Sequence, residues 1–346
     1  MVSNYDKKIK CLIWDLDDTL WLGTLSESNN VYLRNYVEKI IKELDSRGIL
    51  QSIVSKNNYE SAMEKLNEFN LSEYFLCPQI NWNTKSSSIK YISEKLNISL
   101  DTIAFIDDQL FELEEVAFLF PQVLCINATD IGNVLSMERM NPLYITEDSI
   151  NRRKMYLSSF ERDLAEESFE GPNEEFLASL NMSFTISKAQ KGSLARIEEL
   201  TTRTNQLNTT GYTYSYEELD YLRQSNNHKL LIADLEDKFG SYGKIGLALI
   251  ELNNESWVIK LLLMSCRVMS RGVGTIMLNH IMQSAKKANV KLFSEFIDSG
   301  RNRMMYVTYK FAGFKEAESK NGKILFQNDL TNIQNFPEYI KVQIID

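Results

Sequence analysis

Histidine is nearly absent: His228 and His280 are the only two in 346 residues. That scarcity argues against a His-based catalytic triad and against a His-rich metal centre, so carboxylates, Lys, Ser/Thr or Cys must carry any chemistry. Cysteine is sparse as well. Cys11, Cys77, Cys125 and Cys266 lie far apart with no CxxC pair, which gives no zinc signature and suits a reducing compartment. No apolar run reaches the ~20 residues that span a bilayer, and the start, MVSNYDKKIK, has no apolar signal-peptide core. A cytoplasmic protein without a membrane partner is the expectation. Positive charge is also in deficit. A net charge of −9 argues against a general nucleic-acid binder, which needs a basic surface to displace counterions. What remains, 44% hydrophobic and 25% charged residues, is the balance of a soluble globular protein long enough for two domains.

Against this background one stretch stands out: IKCLIWDLDDTLWLG, residues 9–23. An apolar run from Ile9 to Trp14 ends in Asp15, Asp17 and Asp18, followed by Thr19. Leu33, Val37, Ile40, Ile41 and Leu44 then recur at helical spacing before Gly48. ILQSIVSKNN reads as a second strand ending at Ser55, Lys56 and Asn57. A helix with Ala62, Met63, Leu66 and Phe69 follows. Lys85 precedes another amphipathic helix, and TIAFIDDQ is a short strand ending in Asp107 and Asp108. Alternating strands and helices predict a parallel sheet with right-handed crossovers, whose ligands bind beyond the carboxyl ends of the strands. Every polar residue just named falls at such an end. Carboxylates gathered there repel one another unless a cation sits among them, and hard oxygen ligands suit Mg²⁺.

The order DxDxT, Ser, Lys, DD resembles the haloacid dehalogenase (HAD) superfamily of phosphotransferases. The resemblance implies Asp15 as nucleophile and Asp17 as acid/base, with the Asp17 backbone carbonyl also on the metal. It implies a turn shaped by Thr19, phosphate held by Ser55 and Lys85 with Lys56 and Asn57 beside them, and a metal site of Asp15, Asp17, Asp107 and Asp108. The intervals between these motifs are used up by single helices and strands, so the domain has no room for a cap.

Beyond residue 130 the character changes. ITEDSINRRKMYLSSFERDLAEESF reads as a charged helical connector, and Gly171-Pro172 is the clearest break. The expected division is a HAD-like phosphatase domain over 1–140, a connector over 141–180 and a second domain over 181–346. From Met182 the pattern restarts: strand MSFTISKAQ, a helix over GSLARIEELTTRTNQLN, and strands KLLIADLED, KIGLALIEL and SWVIKLLLMSCRV. SRGVG then opens a helix, VKLFSEFI is another strand, and RNRMMYVTYKFAGF ends the run as a helix. This order resembles the GNAT acyltransferase fold, in which an acyl thioester lies against splayed central strands. Its glycine signature is reduced to Gly272 and Gly274, with Met269 at the first position; a turn of this kind presents backbone N–H groups to a phosphate.

Taken together, DLDDTLWLG, SKNN, INWNTKS, FIDD, LTTRTNQLN and SCRVMSRGVG resemble the FkbH-like family (HAD subfamily IIIC) over nearly the whole chain. That resemblance implies a Mg²⁺-dependent bifunctional enzyme of polyketide-type biosynthesis. It would take 1,3-bisphosphoglycerate, remove phosphate and load the glyceryl unit on the phosphopantetheine arm of an acyl carrier protein. Cys266 is the remaining candidate acyl carrier, because Val54 stands where the family commonly has Cys; buried packing is the alternative for this thiol. Arg267 could receive the carrier's phosphate or acidic surface. Asn205 and Asn208 could bind amides or cap a turn. Other departures are Asp18, Leu22, Gln109, Leu110 and Leu113, which stand for Asn, Gly, Asn, Pro and Arg in the family; they surround the phosphate mouth. The alternative reading is a HAD-type phosphatase acting on another phosphate ester, with the GNAT-like domain binding a partner or pantetheine. An inactive scaffold and a coenzyme A-dependent N-acetyltransferase are further rivals.

Overall fold

The computed structural model describes residues 7–27 and 30–345; the polar start before Lys7 lies outside the described residues. The chain forms two compact units, 1–159 and 160–346, so the segment read as a connector divides between them. Both units are α/β, as expected: an all-parallel five-stranded sheet comes first and a mixed eight-stranded sheet second. Among the described residues no helix is long and apolar enough to cross a membrane.

In the first unit the elements are β1 (Cys11–Trp14), β2 (Trp21–Leu22), β3 (Tyr32–Leu33), α1 (Val37–Ser46), β4 (Leu50–Ser55), α2 (Tyr59–Glu68), β5 (Gln79–Ile80), α3 (Lys85–Lys95), β6 (Ile103–Asp107), α4 (Leu110–Leu119) and β7 (Leu124–Asn127). The main sheet has the order β5-β4-β1-β6-β7, and every pairing in it is parallel. β1 is central because Cys11–Trp14 is buried on both faces, the pattern parallel sheets require. Trp14 pairs with Ile53 on one side and Ile106 on the other. That register sets Asp15 level with Val54, one residue short of the end of β4, and with Asp107, the last residue of β6. Within the core, Trp14 donates its indole N–H to Gln51 Oε1 at 3.1 Å, and Gln51 Nε2 donates to the Ile41 carbonyl at 2.9 Å; both buried polar groups are thereby satisfied. β2 and β3 form a small hairpin beside the turn that follows β1.

The charged stretch before the second sheet forms α5 (Glu147–Ile150), α6 (Arg152–Glu167) and α7 (Asn173–Ser179). The second unit continues with β8 (Met182–Lys188), α8 (Leu194–Arg203), α9 (Tyr216–Gln224), β9 (His228–Asp237), β10 (Gly240–Leu252), β11 (Ser256–Met264), α10 (Ile276–Lys287), β12 (Lys291–Ile297), α11 (Arg303–Phe311), β13 (Lys315–Lys320), β14 (Lys323–Asn328) and β15 (Ile340–Ile345). Its eight strands run β13-β14-β12-β11-β10-β9-β8-β15. β8 to β11 are an antiparallel meander, and α10 crosses over to β12, parallel to β11. The hairpin β13–β14 and the edge strand β15 complete the sheet without having been legible as strands.

Two of the expected elements end early, each for a physical reason. β11 stops at Met264, and Cys266–Arg271 is a tight 3₁₀ turn rather than a strand continuation. α8 stops at Arg203 instead of running to Asn208. β11 and β12 pair only from Ser256–Ile259 with Lys291–Ser294, leaving the distal backbone of β11 in need of partners. Residues 207–209 supply them. Met264 N donates to Leu207 O at 2.9 Å, Thr209 N to Leu262 O at 3.1 Å and Ile297 N to Thr209 O at 3.0 Å. The end of the expected helix is instead a strap across the strand gap.

Arg162 of α6 is almost fully buried and lies in the second unit. It donates to both oxygens of Asp237 at 2.7 and 2.9 Å and to the Gly240 carbonyl at 2.9 Å, with its guanidinium 3.8 Å from the Tyr242 ring centroid. Asp237 in turn accepts from the Phe239 and Gly240 amides, closing the β9–β10 turn. Removing one partner of a buried, bidentate pair strands the other charge. Arg162→Ala is therefore expected to cost about 3–5 kcal/mol in urea unfolding, with Arg162→Lys recovering less than half, because an ammonium cannot reproduce the fork.

Candidate active site

The carboxyl edge of the first sheet brings the sequence candidates together. Asp15 follows β1 and donates its amide to the Ile106 carbonyl at 2.9 Å, which seats it beside Asp107 at the end of β6. Carboxylate oxygens of Asp15, Asp107 and Asp108 lie within 4.8 Å of one another. Lys85, the first residue of α3, is 3% exposed. Its ammonium is 2.9 Å from Asp15 Oδ1 and 2.5 Å from Asp107 Oδ2. Thr84 caps α3 by accepting the Ser87 amide, fixing where the helix starts and so where Lys85 points. Asp107 also accepts the Gln109 amide at 2.9 Å.

Electrostatics follow from burial. Desolvation, reinforced by Asp107, outweighs the attraction of Lys85 and pushes Asp15 up to about 7. Desolvation likewise raises Asp107, with Lys85 opposing it and Asp108 adding to it. Burial alone would lower Lys85, yet Asp15 and Asp107 carry its ammonium above the ordinary lysine value. One ammonium is thus shared between Asp15 and Asp107, with Asp108 beside them, and the excess is the charge a divalent cation would balance. The donor set is oxygen only, the hard set that Mg²⁺ takes with water and phosphate completing the shell. The residues present therefore fit Mg²⁺.

Asp17 stands apart from that group. Its Oδ1 accepts from the Trp21 indole at 2.8 Å and the Leu25 amide at 3.1 Å, and its Oδ2 from Asn57 Nδ2 at 2.9 Å. Asn57, expected at the phosphate, is thus a partner of Asp17. Trp21 was not singled out in the sequence, although it lies four residues beyond Asp17 in the same motif. Thr19 is buried and donates its hydroxyl to Asp108 Oδ1 at 3.4 Å, in line with a turn-shaping role. Asp18 is exposed, has φ of 47°, and accepts the Gly23 amide at 2.9 Å. Ser55 is buried at the end of β4, and its carbonyl accepts the Asn81 amide at 3.0 Å. Lys56 turns aside to Glu112 Oε1 at 2.6 Å; Glu112 is buried, and its other oxygen has no protein partner. Val54 is buried within β4.

The remaining candidates belong to the second unit. Cys266 is half-buried against the hydrophobic core, and burial pushes its thiol up, away from the thiolate form. Arg267 donates both its amide and Nε to Ser265 Oγ at 3.4 Å. Asn208 is fully buried. It accepts from the Thr210 and Gly211 amides and donates to the Thr204 carbonyl, so turn bonding is what the structure gives it. Asn302 Nδ2, unnoticed in the sequence, donates to the Asn208 carbonyl at 2.8 Å and to the Ile297 carbonyl at 2.9 Å, locking the strap in the gap. Gly272 has φ of +68°, and a Cβ there would lie 2.2 Å from the Tyr339 hydroxyl. Glycine is required at this position by backbone and packing alone. Nothing lies within 4 Å of a Cβ built on Gly274.

Residues 21–115 match the family model described as haloacid dehalogenase-like hydrolase; the span holds Ser55, Lys85, Asp107 and Asp108 but begins after the Asp15 turn. No curated protein matches the chain. Among solved structures, the N-terminal part of BF1531 from Bacteroides fragilis, containing a phosphatase domain complexed with Mg, is 27% identical over 40% of this chain, with a TM-score of 0.34. The match spans 42% of that protein. The ribosomal-protein-S18-alanine N-acetyltransferase of Escherichia coli is 17% identical over 45% of this chain and 97% of its own, TM-score 0.34. PaiA N-acetyltransferase from Thermoplasma acidophilum, in complex with coenzyme A, is 16% identical over 42% of this chain and 98% of its own, TM-score 0.35.

Two outcomes are expected. Mg²⁺ at a concentration well above its dissociation constant raises Tm in a thermal melt, by ligand linkage, and Asp107→Asn removes most of that rise. Gly272→Ala costs about 1–3 kcal/mol in chemical denaturation, whereas Gly274→Ala stays within about 0.5 kcal/mol of the parent.

Proposed function

We propose that the first unit catalyses Mg²⁺-dependent phosphoryl transfer from a phosphate ester to Asp15, followed by hydrolysis. The observation that supports it best is the convergence of Asp15, Asp107 and Asp108, the first two on the Lys85 ammonium. Asp15, Asp107 and Asp108 would hold the metal, which when bound offsets charge between carboxylates and phosphoryl oxygens and polarises the phosphorus centre. A carboxylate oxygen of Asp15 attacks phosphorus as the ester P–O bond breaks, and the departing alkoxide takes a proton from Asp17. Water then attacks the aspartyl-phosphate, Asp17 takes its proton, and release of phosphate regenerates the Asp15 carboxylate. Lys85 favours the ionised, attacking form of Asp15 against the cost of burial. The Trp21, Leu25 and Asn57 donors fix where the Asp17 carboxyl points. Ser55 and Lys85 would steady the phosphoryl oxygens.

The finer reading rests on the motif resemblance. The substrate is 1,3-bisphosphoglycerate, and the glyceryl unit passes as a thioester to an acyl carrier protein in a cytoplasmic, polyketide-type pathway. The second unit meets the carrier's phosphopantetheine arm, with Cys266 and Arg267 as its candidate residues. A second reading keeps the phosphatase and assigns another ester, the second unit acting as a partner- or pantetheine-binding module. It is favoured by a Cys266 thiol packed on the core, by Val54 in place of a thiol, and by the strap over 207–209 in the strand gap.

Asp15→Asn is expected to lower phosphate release by at least about 10³-fold under either reading, measured by a continuous phosphate assay with Mg²⁺. Intact-mass analysis of carrier proteins incubated with 1,3-bisphosphoglycerate separates the two. A glyceryl increment supports the first, and phosphate release with an unmodified carrier supports the second.

A further inference from the structure

The carboxyl group of Asp17 is gripped by donors from two separate parts of the chain. Its Oδ1 accepts the Trp21 indole N–H at 2.8 Å and the Leu25 amide at 3.1 Å, while its Oδ2 accepts Asn57 Nδ2 at 2.9 Å. Trp21 and Leu25 follow the turn after β1. Asn57 lies in the loop that leaves Ser55, the last residue of β4. Each side-chain donor is itself fixed. Trp21 is fully buried, pairs with Leu33 in the β2–β3 hairpin and tilts against the Phe69 ring, centroids 6.3 Å apart. Asn57 is buried as well, and Asn58 after it caps α2 by accepting the Ser61 amide at 2.9 Å. The backbone that carries Asn57 is thereby pinned at the start of a helix.

The acceptor capacity of the carboxyl group singles out one of its oxygens. Each carboxylate oxygen offers two lone-pair sites. Both sites of Oδ1 are taken, by Trp21 and Leu25, whereas among the described residues Oδ2 has only Asn57. A proton can be given or taken only where no N–H already sits, which leaves the second site of Oδ2. Asp17 is half-buried although all three of its donors belong to buried residues.

Resting on the phosphoryl-transfer reading of the Asp15 site, we infer that Asp17 Oδ2 is the oxygen that gives and takes the proton, and that Asn57 is the positioning residue that holds it. In the first step the ester P–O bond breaks, its electron pair stays on the leaving oxygen, and the Oδ2 proton completes the alcohol. In the second, water bonds to phosphorus, its proton passes to Oδ2, and the bond between phosphorus and the Asp15 oxygen breaks. Asn57 acts through Asp17 alone. Because it shares a short segment with Ser55, its hydrogen bond sets the proton-carrying oxygen relative to the strand end that would steady the phosphoryl group.

A leaving group that is stable as an anion needs no proton, and this separates positioning of an acid from a structural role. The test gives the full chain, with Mg²⁺, two esters: 3-phosphoglycerate, the ester of a primary alcohol, and p-nitrophenyl phosphate, whose phenolate departs unprotonated. Asn57→Ala is expected to lower kcat/KM for 3-phosphoglycerate about 30-fold, part of what general acid–base catalysis supplies. For p-nitrophenyl phosphate the loss is expected to be at least about tenfold smaller. With 3-phosphoglycerate the loss falls on kcat, KM staying within about twofold. Asn57→Gln keeps the donor but moves it by one methylene. It is expected to show a smaller loss with the same preference between esters, and it serves as the test variant where thermal melts show that Asn57→Ala does not fold. Equal losses on the two esters, a loss confined to KM, or no loss would overturn the role of Asn57 and leave the phosphoryl-transfer reading standing. Phosphate release from neither ester by the parent chain, with Mg²⁺ bound, would overturn that reading itself.

Discussion

Lys85 holds two buried aspartates at once, and the first unit's site is organised around that contact. Its ammonium reaches Asp15 at the end of the central strand and Asp107 at the end of the adjacent one. Desolvation raises both carboxylates, Asp107 adds to the rise of Asp15, and Asp108 adds to that of Asp107. One lysine offsets part of this and leaves an acidic remainder, which a divalent ion would balance. The parallel sheet sets the ends of β1 and β6 side by side, and the start of α3 brings Lys85 to both.

A second layer of side chains holds the site's parts in place. Trp21, Leu25 and Asn57 donate to Asp17, and Thr19 donates to Asp108. These contacts tie the turn after β1 to the loop after β4 and to the end of β6, so a change in the hairpin of β2 and β3 is felt at the acid/base candidate. Preorganisation of this sort removes reorganisation from the reaction step. The second unit is arranged on a different constraint, the unpaired distal half of β11. Leu207–Thr209, with Asn302 locking Asn208, fill that gap with the chain's own backbone.

Much of the first site was legible because its residues sit where hydrophobic periodicity breaks. Asp15, Ser55, Lys85 and Asp107 each mark the end of an apolar strand or the start of a helix, and order along the chain maps directly onto a parallel sheet. Contacts made across long sequence separations were not legible. That Asn57 would face Asp17, or that Lys56 would turn to Glu112, depends on side-chain directions after the loop is built. Gly272 read as a phosphate turn, but the Tyr339 hydroxyl over its Cα explains the glycine without a ligand, and that tyrosine is far along the chain. The helix expected through Asn208 failed for the same reason: a strand edge elsewhere required its backbone. Short strands such as β5 and β7 carry too little periodic signal to be seen alone.

The central claim is that Asp15 itself receives the phosphoryl group. Reductive trapping tests it most directly: the enzyme is quenched during turnover with Mg²⁺ and a phosphate ester, treated with borohydride, digested and analysed by peptide mass spectrometry. The account predicts homoserine at position 15, formed by reduction of the aspartyl-phosphate, and an unmodified Asp17. Steady phosphate release with Asp15 unmodified at every quench time, or homoserine at position 17 instead, would contradict it.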